Sequence, residues 1–267
     1  MQKISIVTLS YNQAEFLAEA MDSVLGQDHQ DVEYVIVDPG STDGSLDIIR
    51  SRSERLAAVI TGPDRSPAHG LNRGFDVATG EIFGFLNSDD RLLPGALRLV
   101  AQAFEDDPEL DIVSGHMRII DRAGRPHRMS FTDQYSRLGM AYGTWNICQQ
   151  STFFRAATYR KAGGFNPDDK VSWDYDLMVR IFLSAPRHRV IDRVLSEFRV
   201  YDESITGSKR FESERMSMAA RHFRLIMGRD WRRYDHVMRY LVLAMKYARQ
   251  PRSLLERLRR GSIFDPR

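Results

Sequence analysis

Lys3-Ile4-Ser5-Ile6-Val7-Thr8-Leu9-Ser10-Tyr11-Asn12 opens on an apolar, β-branched run and stops at three polar residues, which reads as a strand delivering the chain into a loop. Residues 14–25 then set Phe16, Leu17, Ala20, Met21 and Val24 on one side of a helix, a spacing that predicts burial of that side. The alternation repeats. Residues 32–37 form a nearly continuous apolar strand, Asp38 to Gly44 a turn and 45–53 a helix, while Val59 and Ile60 mark a third strand, 68–79 a helix, and 82–86 a fourth strand that ends in Asn87-Ser88-Asp89-Asp90. Strands apolar throughout and separated by helices imply a three-layer α/β fold on a mainly parallel sheet. Sheets of this kind bind ligands outside the carboxyl ends of their strands, and three polar, acid-rich loops gather at that edge here.

Further on, 94–105 reads as a helix, 112–120 as a strand, Asp121-Arg122-Ala123-Gly124 as a turn, 151–154 as a short strand and 173–183 as a helix. Residues 189–201 read as a strand pair or a strand with a turn, and beyond Ser208 the pattern is helical, broken at Gly228 and Pro251. With 267 residues, 42% hydrophobic and 28% charged, the chain is long enough to bury one sizeable core. A single cysteine, Cys148, excludes an internal disulfide framework and a multi-cysteine metal site. Neither a secretory signal nor a bilayer-spanning apolar run is visible in the sequence, so a cytoplasmic protein is expected. From Lys209 onward there are 16 Lys+Arg against 6 Asp+Glu, a net of +10, whereas the preceding residues hold 22 against 30, a net of −8. Body and tail therefore call for separate readings.

Two adjacent carboxylates, Asp89 and Asp90, repel unless a positive charge lies beside them, and a hard divalent cation such as Mg2+ or Mn2+ is commonly held by one or two carboxylates with phosphate oxygens completing the shell. The bland alternative is Asp90 as the cap of the next helix. Asp38-Pro39-Gly40-Ser41-Thr42-Asp43-Gly44-Ser45 has the chemistry of a tight turn with a helix cap, yet Asp38 stands at the end of a buried strand, where a carboxylate can accept a bond from a nucleobase imide or a ribose hydroxyl. Asp174 and Asp176 lie two apart at a helix start, so only one of them can face a cleft; both also suit the helix dipole.

Taken together, Ser5 to Asn12, Val37-Asp38-Pro39-Gly40-Ser41-Thr42-Asp43-Gly44-Ser45, Asn72-Arg73-Gly74 with Ala78-Thr79-Gly80-Glu81, and Leu86-Asn87-Ser88-Asp89-Asp90 resemble the family 2 glycosyltransferases of the GT-A fold. The resemblance is close over residues 3–100 and continues more thinly through Gln149-Gln150-Ser151-Thr152-Phe153-Phe154-Arg155, Gly163-Gly164-Phe165 and Trp173-Asp174-Tyr175-Asp176-Leu177. It implies a nucleotide-sugar-binding half over 1–110 and an acceptor-binding and catalytic half over 111–207; the family motifs do not reach the tail, whose own pattern reads as a basic helical extension over 208–267. It implies that Thr8, Tyr11, Asn12, Asp38, Ser41, Asp64, Asn72 and Asp89 contact the nucleotide sugar, that Asp90 holds Mn2+ or Mg2+, and that Asp174 is the base in a single displacement with inversion. Gln150, Trp173 and Arg199 are candidate acceptor or diphosphate contacts, with Trp173 placed to stack on an acceptor sugar, and Lys209 is a further cation facing the diphosphate.

The sequence departs from the family at three points. Trp173 stands where an acid is usual, Pro39 replaces the second acid after the second strand, and Tyr201 occupies a place where a histidine is frequent. The expected activity moves a sugar from a UDP-, GDP- or dTDP-linked donor to a saccharide or lipid-linked saccharide, for a surface polysaccharide. Two rivals stand beside it: a catalytically silent nucleotide-sugar-binding or scaffold protein, and a nucleotidyltransferase on a related fold. Residues 238–260 interleave leucines with arginines, a pattern that suits either peripheral contact with the inner face of a membrane or packing on the acidic body. Nucleic acid ranks last, since no recognised binding module accompanies the basic residues.

Overall fold

Strand residues divide their side chains between two cores. In β1 (Ile4–Leu9), Ile4 and Ile6 face one side and Val7 the other; in β2 (Val32–Asp38), Tyr34 and Ile36 oppose Val35 and Val37. This alternation follows from the two-residue period of a strand and gives three layers. The computed structural model describes residues 2–169, 171–202 and 212–261, the side chains of 212–215 excepted. One core holds Leu17, Met21 and Val24 of α1 (Ala14–Leu25) with Leu97, Val100 and Phe104 of α4 (Ala96–Asp106). Behind the other face lie Leu71 and Phe75 of α3 (Pro67–Val77), Tyr159 of α6 (Ala156–Lys161) and Leu177 and Phe182 of α7 (Trp173–Leu183).

The described residues form a nine-stranded sheet in the order β3-β2-β1-β4-β8-β6-β9-β5, with β7 paired to β6. Strands β3 (Ala58–Thr61), β2, β1 and β4 (Ile82–Asn87) are parallel. Leu9 sits in register with both Val37 and Asn87, so three strands end at one level and their loops meet. The rest of the sheet is mixed. Strand β8 (Thr152–Arg155) runs antiparallel between β4 and β6 (Ile112–Ile120), and β9 (His188–Arg199) returns parallel to β6. Helix α2 (Ser45–Arg50) follows β2.

Long periodic elements match their expected bounds closely; short ones emerge only in three dimensions. The segment 189–201 is one long strand rather than a pair, because β6 supplies a partner as far as Arg199. The helix after the acid pair starts at Ala96, since Gly95 adopts φ 79 and turns the chain. The weakly patterned region contains β7 (Pro126–Ser130) and α5 (Arg137–Ala141), and β5 (Arg91–Leu92) has only two residues. Elements this short complete too little of a period to be read.

Helices α8 (Glu212–Met227), α9 (Arg233–Arg249) and α10 (Pro251–Arg260) make up the tail. Phe223, Ile226 and Val242 join the core, and buried Asp235 accepts bonds from Tyr142 (2.6 Å) and Arg229 (2.7 Å). No helix among the described residues is long and apolar enough to cross a membrane.

Close approach of α3 to the sheet rests on Gly74, where an added Cβ would lie 2.4 Å from Val7 Cγ1 and 3.1 Å from Val37 Cγ2. In a free helix Gly→Ala gains about 1 kcal/mol, but overpacking a core costs about 1–3 kcal/mol. Gly74→Ala is expected to destabilise the protein in denaturant unfolding; a gain in stability would show that α3 stands off the sheet.

Candidate active site

The loop after β1 and the loop after β2 are tied together. Asn12 N–H donates to Ser41 Oγ (2.8 Å), Thr42 N–H to Asn12 Oδ1 (2.9 Å), Gln13 N–H to Ser45 Oγ (3.2 Å) and Ala14 N–H to Asp43 (2.8 Å). Asn12 holds φ 50, a left-handed conformation that asparagine tolerates better than most residues. Tyr11, 61% exposed, projects from this junction. The β1–β2 junction reaches the β4 loop through Tyr201, whose hydroxyl lies 3.5 Å from Gln13 Oε1 and donates to Asp89 Oδ2 at 3.2 Å. Burial together with the Asp89 charge pushes the Tyr201 hydroxyl up to about 12.

The two adjacent carboxylates have different surroundings. Asp90 is buried; one oxygen accepts the Arg199 backbone N–H (2.9 Å), the other Gln150 (2.9 Å) and Asn87 (3.3 Å). Burial, then the charge of Asp89, raises its pKa well above the ordinary carboxylate range. Asp89 remains partly accessible, its pKa raised by burial and opposed by the Tyr201 bond. The sequence expectation places the cation on Asp90, but every Asp90 oxygen is already engaged by protein donors, and the open carboxylate of the pair is Asp89. Among the described residues no three acid, histidine or cysteine side chains gather to hold a metal. What fits this edge is a hard cation held by the single carboxylate Asp89, with the remaining ligands from a diphosphate.

Several other residues expected at the site make internal contacts. Asp38 is buried and accepts Gly40 N–H (2.9 Å), Ser41 N–H (2.7 Å) and the Ser41 hydroxyl (2.7 Å), so it organises its loop. Thr8 points into the sheet and accepts Tyr34 (3.0 Å). Asn72 bonds Phe165 N–H and C=O and Tyr159, joining α3 to the segment before α7. Gln150 supports Asp90. Trp173 packs between Phe85 (5.4 Å between ring centroids) and Phe165 (5.5 Å), leaving its face to the core rather than to a sugar. Arg199 is a buried tie, donating to the carbonyls of Asp89 and Arg122 and pairing with Glu19. Asp64 pairs with Arg73 (2.6 Å) and lies near His69 (3.5 Å) and Leu9. Lys209 lies outside the described residues.

Asp174 occupies the first turn of α7, which the Trp173–Phe85 contact sets beside β4. Burial raises its pKa, and the charge of Asp169 adds to this. Two residues on, burial of Asp176 is outweighed by His222 (3.3 Å) and Arg180 (2.8 Å), which hold its carboxyl below the usual range and tie α7 to α8. Asp176 is thus engaged by the fold, whereas Asp174 accepts the Tyr175 N–H (2.8 Å) and has no ion pair among the described residues.

Two residues were not singled out from the sequence. The Ser10 hydroxyl is buried without a hydrogen-bond partner at the end of β1, and Asp169 accepts the Val171 and Ser172 N–H groups just before α7 while its second oxygen has no partner. The signal for Ser10 was available: it is the first polar residue beyond an apolar strand, at the edge where ligands bind.

Comparison with known proteins agrees with this geometry. Residues 5–182 match the family described as Glycosyl transferase family 2. An uncharacterized glycosyltransferase of Nostoc is 38% identical over 130 residues, spanning 45% of this chain and 40% of that protein. A PGL/p-HBAD biosynthesis glycosyltransferase of Mycobacterium tuberculosis is 33% identical over 184 residues, 67% of this chain and 69% of the relative. In fold, S. aureus TarS in complex with UDP-GlcNAc superposes with a TM-score of 0.71 at 22% identity, covering 92% of this chain and 72% of that one. The Pyrobaculum calidifontis mannosyltransferase in complex with GDP-Man and Mn2+ gives 0.65 at 20% identity, covering 98% and 76%. By these matches the chain is a member of glycosyl transferase family 2, a transferase enzyme built on the GT-A fold.

Proposed function

We propose that this protein transfers a sugar from a UDP-, GDP- or dTDP-linked donor to a hydroxyl of a saccharide or lipid-linked saccharide, by metal-assisted single displacement with inversion, in the cytoplasmic synthesis of a surface polysaccharide. The observation that carries the reading is the division between Asp89 and Asp90: one carboxylate is consumed by the fold and its neighbour left open at the ends of β4 and β9. Residues 1–110 then form the donor half, 111–207 the acceptor half and 208–267 a helical extension. Asp89 would hold Mn2+ or Mg2+, which neutralises charge on the departing diphosphate. Ser10, Tyr11, Asn12 and Asp64 line the nucleotide side. Asp174 accepts the proton of the acceptor hydroxyl as that oxygen attacks the anomeric carbon and the bond to the diphosphate breaks.

Thermal melting with UDP-, GDP- and dTDP-sugars plus manganese tests the donor and metal parts. One donor class should raise the wild-type midpoint. Asp89→Ala should abolish that rise while melting near wild type without ligand. Asp90→Ala should instead lower the ligand-free midpoint, because three buried donors lose their acceptor at a cost of about 1–3 kcal/mol. The reverse pattern would return the cation to Asp90.

Asp174→Asn separates catalysis from helix capping. Its carboxyl is raised in the fold above an unfolded value of about 3.9. Between those values the folded state binds the extra proton, so the contribution to stability is greatest in acid and is lost as pH rises through the folded pKa. The neutral asparagine should therefore melt above wild type at neutral pH and lose that advantage in acid, while transfer falls by about 100-fold or more. A simple helix-dipole role predicts a lower melting point at neutral pH and unimpaired transfer.

A further inference from the structure

Helix α9 is apolar on two sides. Val242 and Met238 pack inward, but Tyr234, Val237, Tyr240, Leu241 and Met245 are 50%, 63%, 72%, 52% and 44% exposed, and Ala244 and Ala248 are exposed beside them. Leu255 and Leu258 of α10 are 51% and 73% exposed. Of the fourteen large apolar or aromatic side chains exposed among the described residues, ten lie between Met216 and Leu258. That concentration marks an interaction surface rather than scattered exposure.

Charge selects the partner. Arg233, Arg239, Arg249, Arg259 and Arg260 are exposed, and none is within ion-pair distance of an acid among the described residues. The acids of α9 and α10 are both engaged, Asp235 with Arg229 and Tyr142, and Glu256 with the Met129 N–H (2.8 Å). Between α9, α10 and β7 a groove of about 550 Å³ gathers Arg128, Arg239, Lys246 and Arg257 around that one carboxylate. The Arg128 Nε is buried there without a partner. A second copy pairing through this face about a two-fold axis would set arginines against arginines, whereas phosphate headgroups supply the opposite charge and acyl chains take the apolar side chains.

We propose that the α9–α10 surface docks on an anionic lipid leaflet, with the outward face of α9 entering the boundary between headgroups and chains and the arginine rim pairing with lipid phosphates. This docking is independent of the donor and acceptor assignments, since it is read without either.

Flotation of the full chain with phosphatidylcholine vesicles, with and without phosphatidylglycerol, tests it. The wild type should float with the anionic vesicles only, and added salt should release it. Val237→Asp/Leu241→Asp and Arg233→Gln/Arg239→Gln should each weaken partitioning at least about tenfold while retaining the wild-type melting midpoint. Failure to float with anionic vesicles, or flotation insensitive to both variants, overturns the proposal. A solution dimer that Val237→Asp/Leu241→Asp converts to monomer assigns the face to a second copy instead.

Discussion

A buried carboxylate held by three donors from three parts of the chain organises the functional edge. Asp90 draws together the end of β4 through Asn87, the turn before β8 through Gln150 and the last residue of β9 through the Arg199 backbone. Burying a carboxylate is unfavourable without such bonds, and neutral donors compensate only in part, as the direction of its pKa shows. The neighbouring Asp89 is raised as well. A positive charge at Asp89 would favour the ionised form of both acids. Among the described residues Arg199 supplies part of that charge to Asp89, although its guanidinium hydrogen bonds go to Glu19 and to backbone carbonyls.

The substitution of Trp173 for an acid has a structural counterpart. Its indole fills the space between Phe85 and Phe165, fixing the first turn of α7 against β4 by aromatic contact. Asp169 then supplies a carboxylate close enough to Asp174 to raise its proton affinity. An acid thus lies near Asp174 four residues before Trp173, on the loop rather than the helix.

Much of the fold was legible because its long elements carry full periods: the helix at Ala14–Leu25 and the strand at Ile112–Ile120 appear with the bounds read from their patterns. The ligand-binding edge was legible too, since polar residues follow each parallel strand. Side-chain direction was not. Whether Asp38 faces a nucleobase or its own loop depends on Gly40 and Ser41 offering N–H groups first, and whether Arg199 meets solvent or Glu19 depends on a residue far away in sequence. Residue type and spacing carry no record of such long-range partners.

A common division runs through the motifs. In each, one polar residue is engaged deep in the fold and its neighbour less so: Thr8 bonds Tyr34 while the buried Ser10 hydroxyl has no partner, Asp90 is enclosed while Asp89 is partly accessible, and Asp176 is salt-bridged while Asp174 accepts a backbone N–H. The loop after β2 breaks the pattern, because Asp38 is the inward member and the outward position is Pro39, which has neither a carboxylate nor an N–H. Asp64, fixed by Arg73 and crowding the same point beside Gly70 as Leu9, is a further carboxylate in the loop that follows β3.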